Sequence, residues 1–262
     1  MILMFYTIFY TFLAAVFVLS MWVLLQTIDE YNPKYADRLV NPGLMIRPKL
    51  DALEIVYSIN GHNASWQRYV DGLNTVLQDY NQSVQEHRGT VCPSGVYNRQ
   101  DDFGEVRNYP KKACQFARDN LGDCSGIGFD PMFGYANGTP CVLIKMNRVI
   151  NFFPKVIPSL SNTSITIRCF GRNEENDNLL GSRAYFPSTN QGLGSIDLKY
   201  FPYYGNRAQK NYTQPFVAVK FLNVTQNMDH NVECRINAAN IKNQDERDKF
   251  QGRVIFRLRI DS

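Results

Sequence analysis

Six cysteines and three histidines are the residues of this chain best suited to hold a metal, form a covalent link or move a proton. Cys92, Cys114, Cys124, Cys141, Cys169 and Cys234 include no Cys-x-x-Cys pair, and His62, His87 and His230 are scattered, which argues against zinc. The even cysteine count stands beside six Asn-x-Ser/Thr sequons, at Asn63, Asn81, Asn137, Asn162, Asn211 and Asn223. Together they point to disulfides and N-glycans, the covalent chemistry of a lumenal or extracellular domain. Asn137 is the weakest sequon, because Pro140 follows its Thr139.

Catalytic patterns are missing. The chain has no Gly-x-Ser-x-Gly, no P-loop and no Gly-x-Gly-x-x-Gly, and Gly126-Ile127-Gly128 lacks both the third glycine and the strand–helix setting. Many glycosyltransferases share the topology of a single span and a lumenal domain, but the Asp-x-Asp that many of them use to hold a metal-bound nucleotide does not occur. Asp101-Asp102 and the stretch Glu174, Glu175, Asp177 read as solvated loops. No catalytic, cofactor-binding or metal residue is assigned, and no cofactor is expected.

The elements that must position these residues begin with an anchor. Met1 to Ile28 carry no charged side chain, and Asp29 and Glu30 are the first ionised ones. A helix of that length reaches about 42 Å, more than the roughly 30 Å hydrocarbon core of a bilayer. A cleaved signal peptide would start with basic residues and have a shorter apolar stretch. Residues 1–28 are therefore expected to be a transmembrane anchor, with further residues before Met1 in the natural chain. Sequons and cysteines all lie after the anchor, which puts the N-terminus in the cytosol and the C-terminus outside. The net charge of +4 is modest and no basic run occurs, which argues against nucleic acid.

Within the anchor, Phe5-Tyr6 and Phe9-Tyr10 repeat four residues apart and put the two tyrosines on one helical face. Thr7 and Thr11, with Ala14 or Ala15 and Val18, form a second stripe of smaller residues whose hydroxyls seek partners on another helix. An interfacial aromatic belt explains aromatics at one end. It does not explain a doublet repeated toward the middle, so helix–helix docking is the preferred reading.

Residues 29–60, with Pro33, Pro42 and Pro48, read as an extended stalk. Trp66, Tyr69, Val70, Leu73, Val76, Leu77 and Tyr80 form an apolar stripe on one helix, capped by Asn63 or Ser65, that packs on the domain's own core. Residues 90–160 read as a loop-rich region stapled by disulfides. From 163 the pattern is period-two. Ile165, Ile167 and Cys169 face inward, as do Val217, Val219 and Phe221. Val232, Cys234 and Ile236 do the same, followed by Val254, Phe256, Leu258 and Ile260. Half-buried antiparallel strands follow, with Asn223 requiring its strand to end or bulge before it. A bridge between Cys169 and Cys234 would tie two sheets through the core, as in immunoglobulin-like sandwiches. The expected fold is an N-terminal transmembrane helix and a mainly β ectodomain over residues 61–262. That ectodomain is read as an immunoglobulin-like antiparallel β-sandwich with one helix and a disulfide-rich loop region.

The motifs taken in order resemble one family over essentially the whole chain. They include Phe5-Tyr6 and Phe9-Tyr10, Pro42-Gly43-Leu44, Tyr69-Val70 with Leu73, and Cys114-Gln115-Phe116-Ala117-Arg118. Cys124-Ser125-Gly126, Phe133-Gly134-Tyr135, Gly138-Thr139-Pro140-Cys141, Tyr203-Tyr204-Gly205, Gln214-Pro215 and Phe250-Gln251-Gly252-Arg253 follow. The chain resembles the beta subunit of the Na+/K+-transporting ATPase, a group shared with the gastric H+/K+ pump. The resemblance implies disulfides in sequential order, Cys92–Cys114, Cys124–Cys141 and Cys169–Cys234, of the 15 pairings six cysteines allow. It implies a non-catalytic plasma-membrane subunit that assembles and delivers a catalytic alpha subunit of a P-type cation pump and modulates potassium occlusion. The anchor positions Phe5, Tyr6, Phe9 and Tyr10, and the ectodomain positions Tyr203, Tyr204, Gln214 and Pro215, are the implied alpha contacts. Membrane lipid is a further partner, and a small single-span regulatory subunit and homophilic adhesion are added candidates. The family's cytosolic tail has no counterpart before Met1. An adhesion glycoprotein independent of a pump, or a subunit of a proton pump, is the alternative reading.

Overall fold

A computed structural model describes residues 1–34, 41–50, 52–60, 65–103, 106–128, 130–245 and 248–262. The chain divides into two compact units, residues 1–37 and 38–262. In the first, helix α1 (Ile2–Gln26) is one uninterrupted 25-residue helix with no buried residue. It has no acidic residue in its first turn and no basic residue in its last, so no charge marks its ends. Its mean hydropathy of 2.4 over the most apolar 18 residues and its length suit a single membrane span.

In the second unit, nine strands form two sheets among the described residues. The four-stranded sheet has the order β1 (Leu44–Arg47), β3 (Cys141–Met146), β7 (Val217–Phe221), β5 (Arg183–Phe186). The five-stranded sheet has the order β2 (Glu54–Ser58), β9 (Arg253–Asp261), β8 (His230–Asn237), β4 (Ser164–Gly171), β6 (Gly194–Asp197). All pairings are antiparallel except β2 with β9, which is parallel. The inward residues of both sheets belong to one core, with Ile165, Ile167, Val217, Val219, Val232, Val254 and Leu258 fully or almost fully buried.

Three sequence expectations change here. Part of the expected stalk is sheet: β1 and β2 lie within residues 29–60, and the parallel partner of β2 is the C-terminal strand β9. Pro42 and Pro48 hid this because they flank β1 rather than lie inside it, where a proline would remove a ladder donor. Strand β3 lies in the expected loop-rich region and is central in its sheet. Its residues Cys141–Ile144 are buried on both faces, so the run shows no alternation. Cys169 and Cys234 do not join the two sheets. They are register partners on the adjacent strands β4 and β8, bridged within one sheet with Cα atoms 3.9 Å apart. The other bridges are Cys92–Cys114 and Cys124–Cys141.

Helix α2 (Gln67–Leu77) buries Tyr69, Val70, Leu73 and Leu77, the stripe read from spacing. Its expected caps differ. Asn63 lies outside the described residues, the N-cap position is Trp66, and Ser65 serves the sheet instead. Strand β2 is an edge strand, whose outward backbone groups need partners. The Ser58 N–H donates to Ser65 Oγ at 2.8 Å, while the Tyr69 hydroxyl accepts from the Val56 N–H at 3.0 Å and donates to the Val56 carbonyl at 3.1 Å. Beneath it the rings of Tyr57, Tyr69 and Tyr135 pack together at 5.2–6.3 Å. Two further helices of seven residues, α3 (Gln82–Arg88) and α4 (Glu174–Leu180), supplement the single helix expected in the ectodomain. The turn into β3 depends on Gly134, whose φ is +77° and where an added Cβ would lie 1.8 Å from the Thr139 carbonyl oxygen.

Candidate functional site

Two surfaces carry the residues singled out for partner contact, and each belongs to one unit. On α1 the aromatic doublets form a ladder. Phe5 and Phe9 stack at 6.1 Å and 9°, Tyr6 and Tyr10 stack at 6.1 Å and 23°, and each Phe–Tyr neighbour pair meets edge-on at 5.6 Å. Spacing of four residues on a helix produces this: i and i+4 side chains lie one above the other. The ladder faces outward, with Tyr6 50% and Tyr10 61% exposed. Its two hydroxyls have no hydrogen-bond partner among the described residues. The adjacent small-residue stripe behaves differently from expectation. Thr7 Oγ1 donates to the Leu3 carbonyl at 2.9 Å and Thr11 Oγ1 to the Thr7 carbonyl at 2.7 Å. Those hydroxyls are satisfied inside their own helix, the ordinary outcome for Thr in an apolar helix, and leave the tyrosines as the polar groups in search of a partner.

In the ectodomain the segment Tyr203–Pro215 folds back on itself at the end of β3. Tyr203 is buried. Its ring packs on Tyr212 at 4.7 Å, with the Arg148 guanidinium 5.4 Å from the ring centre. Gln214 Nε2 donates to the Met146 carbonyl, and the Gln214 carbonyl accepts from the Tyr80 hydroxyl at 2.9 Å. Pro215 is buried beside it. Tyr204 is half-buried: its hydroxyl accepts from the Gln100 N–H at 2.7 Å, and Lys111 Nζ lies 5.3 Å from its ring. Burial raises the Tyr204 hydroxyl pKa, opposed by that backbone bond and by the Lys111 charge. Lys111 is itself held by the Gln100 carbonyl at 2.6 Å and Asp102 at 2.5 Å. Of the four ectodomain residues singled out, Tyr203 and Pro215 thus shape the segment from within. Tyr204 and Gln214 reach the surface in part. Tyr80, which sequence reading assigned to core packing alone, also fixes this segment; no local signal marks its bond to a residue 134 positions away.

The sequons fall at loop positions and element ends. Asn137, Asn162, Asn211 and Asn223 are exposed and Asn81 is half-buried, while Asn63 is outside the described residues. Strand β7 ends at Phe221, two residues before Asn223, as the parity of that sequon requires.

Compared with known proteins, residues 1–256 match the family described as sodium/potassium ATPase beta chain. The sodium/potassium-transporting ATPase subunit beta-2 of Rhinella marina is 69% identical over all of this chain and 87% of its own length. The proteins of the same name from Mus musculus and Homo sapiens are 55% and 54% identical over 99% of this chain and 86% of theirs.

Proposed function

Because the chain belongs to the sodium/potassium ATPase beta-chain family, we propose that it works as the beta subunit of a sodium/potassium-transporting pump, paired with the catalytic alpha subunit. It is a single-span membrane protein whose own role is binding rather than chemistry. The N-terminus lies in the cytosol and the glycosylated sandwich lies outside, at the plasma membrane. The beta subunit assembles the catalytic subunit, carries it to that membrane and adjusts how it occludes potassium. The alternatives of an independent adhesion protein or a proton-pump subunit have no observation favouring them, and the named relatives are sodium/potassium subunits.

One observation supports this reading above the others: the stacked Phe5–Phe9 and Tyr6–Tyr10 ladder on a fully exposed helix, with both tyrosine hydroxyls unpartnered among the described residues. Lipid tails give helices no hydrophobic reason to associate, so packing shape and polar groups decide where they dock. A ladder of flat rings offers the first and the two hydroxyls the second. A docked helix that fits one pump conformation better than another shifts the equilibrium by that difference alone. A few-fold change in potassium affinity corresponds to about 1 kcal/mol, within reach of one or two such contacts. Replacing Tyr6 and Tyr10 together by Ala in the assembled pump is expected to lower complex yield or move the potassium affinity a few-fold. Unchanged assembly and unchanged affinity would remove the anchor from the mechanism.

A further inference from the structure

The outer face of the five-stranded sheet carries an arrangement that packing alone does not favour. Arg168 on β4 is the register partner of Arg235 on β8, and Arg235 is the partner of Arg253 on β9. Three guanidinium side chains therefore stand in one row across three adjacent strands, and like charges directly opposite each other destabilise a sheet. A single buried carboxylate, Glu233, serves two of them, at 2.6 Å from Arg235 and 3.3 Å from Arg253. Arg253 is further pinned by the carbonyls of Asp245 and Asp248. Arg168 makes no ion pair among the described residues; its nearest carboxylate influence is Asp177, whose pKa the bond to Arg183 lowers and Arg168 helps to lower. Arg172, exposed just past the end of the same strand, likewise makes no ion pair among them.

Arg168, Arg172 and Arg235 line a groove of about 860 Å³. Its two carboxylates are Asp177 and Glu174. Asp177 is occupied, by Arg183 at 2.5 Å and the Gly171 N–H at 2.7 Å, and Glu174 lies in the first turn of α4. The rest of the wall suits a sugar. Phe170, with Arg235 stacked 4.9 Å from its ring, gives an apolar face, and Asn178, Asn237 and Asn243 give amides for hydroxyl groups. A planar guanidinium with no partner recognises a carboxylate in two-pronged fashion.

The groove also leads somewhere. Through Leu160, Leu193 and Gln191 it runs on into two further depressions, the last lined by Thr189, Asn190 and the sequon residue Asn162. Asn162 is exposed and six residues from Arg168, so their Cα atoms are separated by about 20 Å or less. An N-glycan antenna spans that distance. We propose that this groove holds the chain's own N-glycan at Asn162, with a carboxylated terminal sugar seated at Arg168 and Arg172. The glycan then supplies a direct ion-pair partner for Arg168 and Arg172, which Glu233 does not reach, and ties the outer face of β4 to the loop before it. The proposal rests on the reading that the sequons face a glycosylating compartment.

The test uses the full chain, purified with its pump partner from cells that add sialic acid. Glycopeptide mass spectrometry first establishes whether Asn162 is occupied. Sialidase is then added under native conditions, and release of sialic acid is followed separately at Asn162 and at Asn223, an exposed sequon outside the groove. Release at Asn162 is expected to be at least several-fold slower. Arg168→Glu with Arg172→Glu should abolish the difference, and Arg168→Lys should keep part of it. Because the double variant could fold poorly, the unmodified chain is also assayed in about 1 M salt, where the Debye length is about 3 Å and the protection should fall away. An unoccupied Asn162 would overturn both the proposal and the glycosylation reading at that site. Occupied Asn162 with equal release rates, or protection that survives the charge reversals and the salt, would overturn the groove proposal alone.

Discussion

Removing the Cys169–Cys234 bridge separates two ideas of what that bridge does. A bridge joining opposite sheets would be needed to hold the sandwich closed. The observed bridge links register partners inside a ladder that runs over six residue pairs from Thr166–Asn237 to Gly171–Val232. The ladder's hydrogen bonds survive without it, so its contribution lies in the unfolded chain, where it closes a loop of sequence separation 65. The chain-entropy relation gives about 4 kcal/mol for that loop and about 3 kcal/mol for the loops of 22 and 17 closed by the other two bridges. For a domain of this size about 4 kcal/mol lowers the melting temperature by roughly 8–16 °C.

Cys124–Cys141 has the smaller entropic value and the larger local role. It fastens the short helical segment Arg118–Cys124 to the first residue of β3, a segment otherwise held by the buried Leu121 and by Arg118 reaching Asn74 and the Ser125 carbonyl. Cys169→Ala with Cys234→Ala should therefore melt earlier as a whole while keeping the native proteolytic map. Cys124→Ala with Cys141→Ala should admit cleavage at Arg118 well below its melting point. The assay is thermal unfolding of the full chain in its complex, paired with limited proteolysis by an arginine-specific protease. Early cleavage within β4 or β8 of the Cys169/Cys234 variant, or a melting shift under about 2 °C, would refute this reasoning.

Other consequences follow from burial. Leu73 is fully buried on α2, so Leu73→Ala should cost about 2–5 kcal/mol of ectodomain stability, read by thermal unfolding; a change under about 1 kcal/mol would mean that the α2 stripe faces a partner rather than the core. Burial pushes the hydroxyl pKa values of Tyr80 and Tyr135 above the ordinary tyrosine range, at Tyr80 with help from Asp79. A raised folded-state pKa gives stability that is complete below the unfolded value of 10.0 and is lost as pH rises from there toward the folded value. Stability should therefore fall steeply above about pH 10, with these tyrosines ionising only on unfolding. Ultraviolet titration would contradict this if every tyrosine ionised near pH 10 while the fold persisted.

How far the sequence revealed this architecture depends on whether a segment faces one environment or two. Strand β9 alternates because one face meets the core and the other is partly open to water, and the inward residues of β4, β7 and β8 were readable from their period-two runs although Ser164–Ile167, Val217–Val219 and Val232–Cys234 are buried on both faces. Cys141–Ile144 in β3 meets protein on both sides, so alternation vanished there. Which strands lie side by side is set by long-range pairing, and this is why Cys169 and Cys234, correctly placed on inward faces, were assigned to opposite sheets. The same limit hid the arginine row: Arg168, Arg235 and Arg253 are each unremarkable outward residues until register puts them opposite one another. In α1 the spacing alone placed the aromatic ladder, because a helix has only one way to arrange residues four apart.

The central claim, that this chain acts as one half of a pump, is tested most directly by purifying it through a C-terminal tag from native membranes in mild detergent. An equimolar P-type ATPase catalytic subunit is expected in the eluate, identified by mass spectrometry, with potassium-dependent ATPase activity. An intact, folded and glycosylated chain that elutes without any such partner would contradict it.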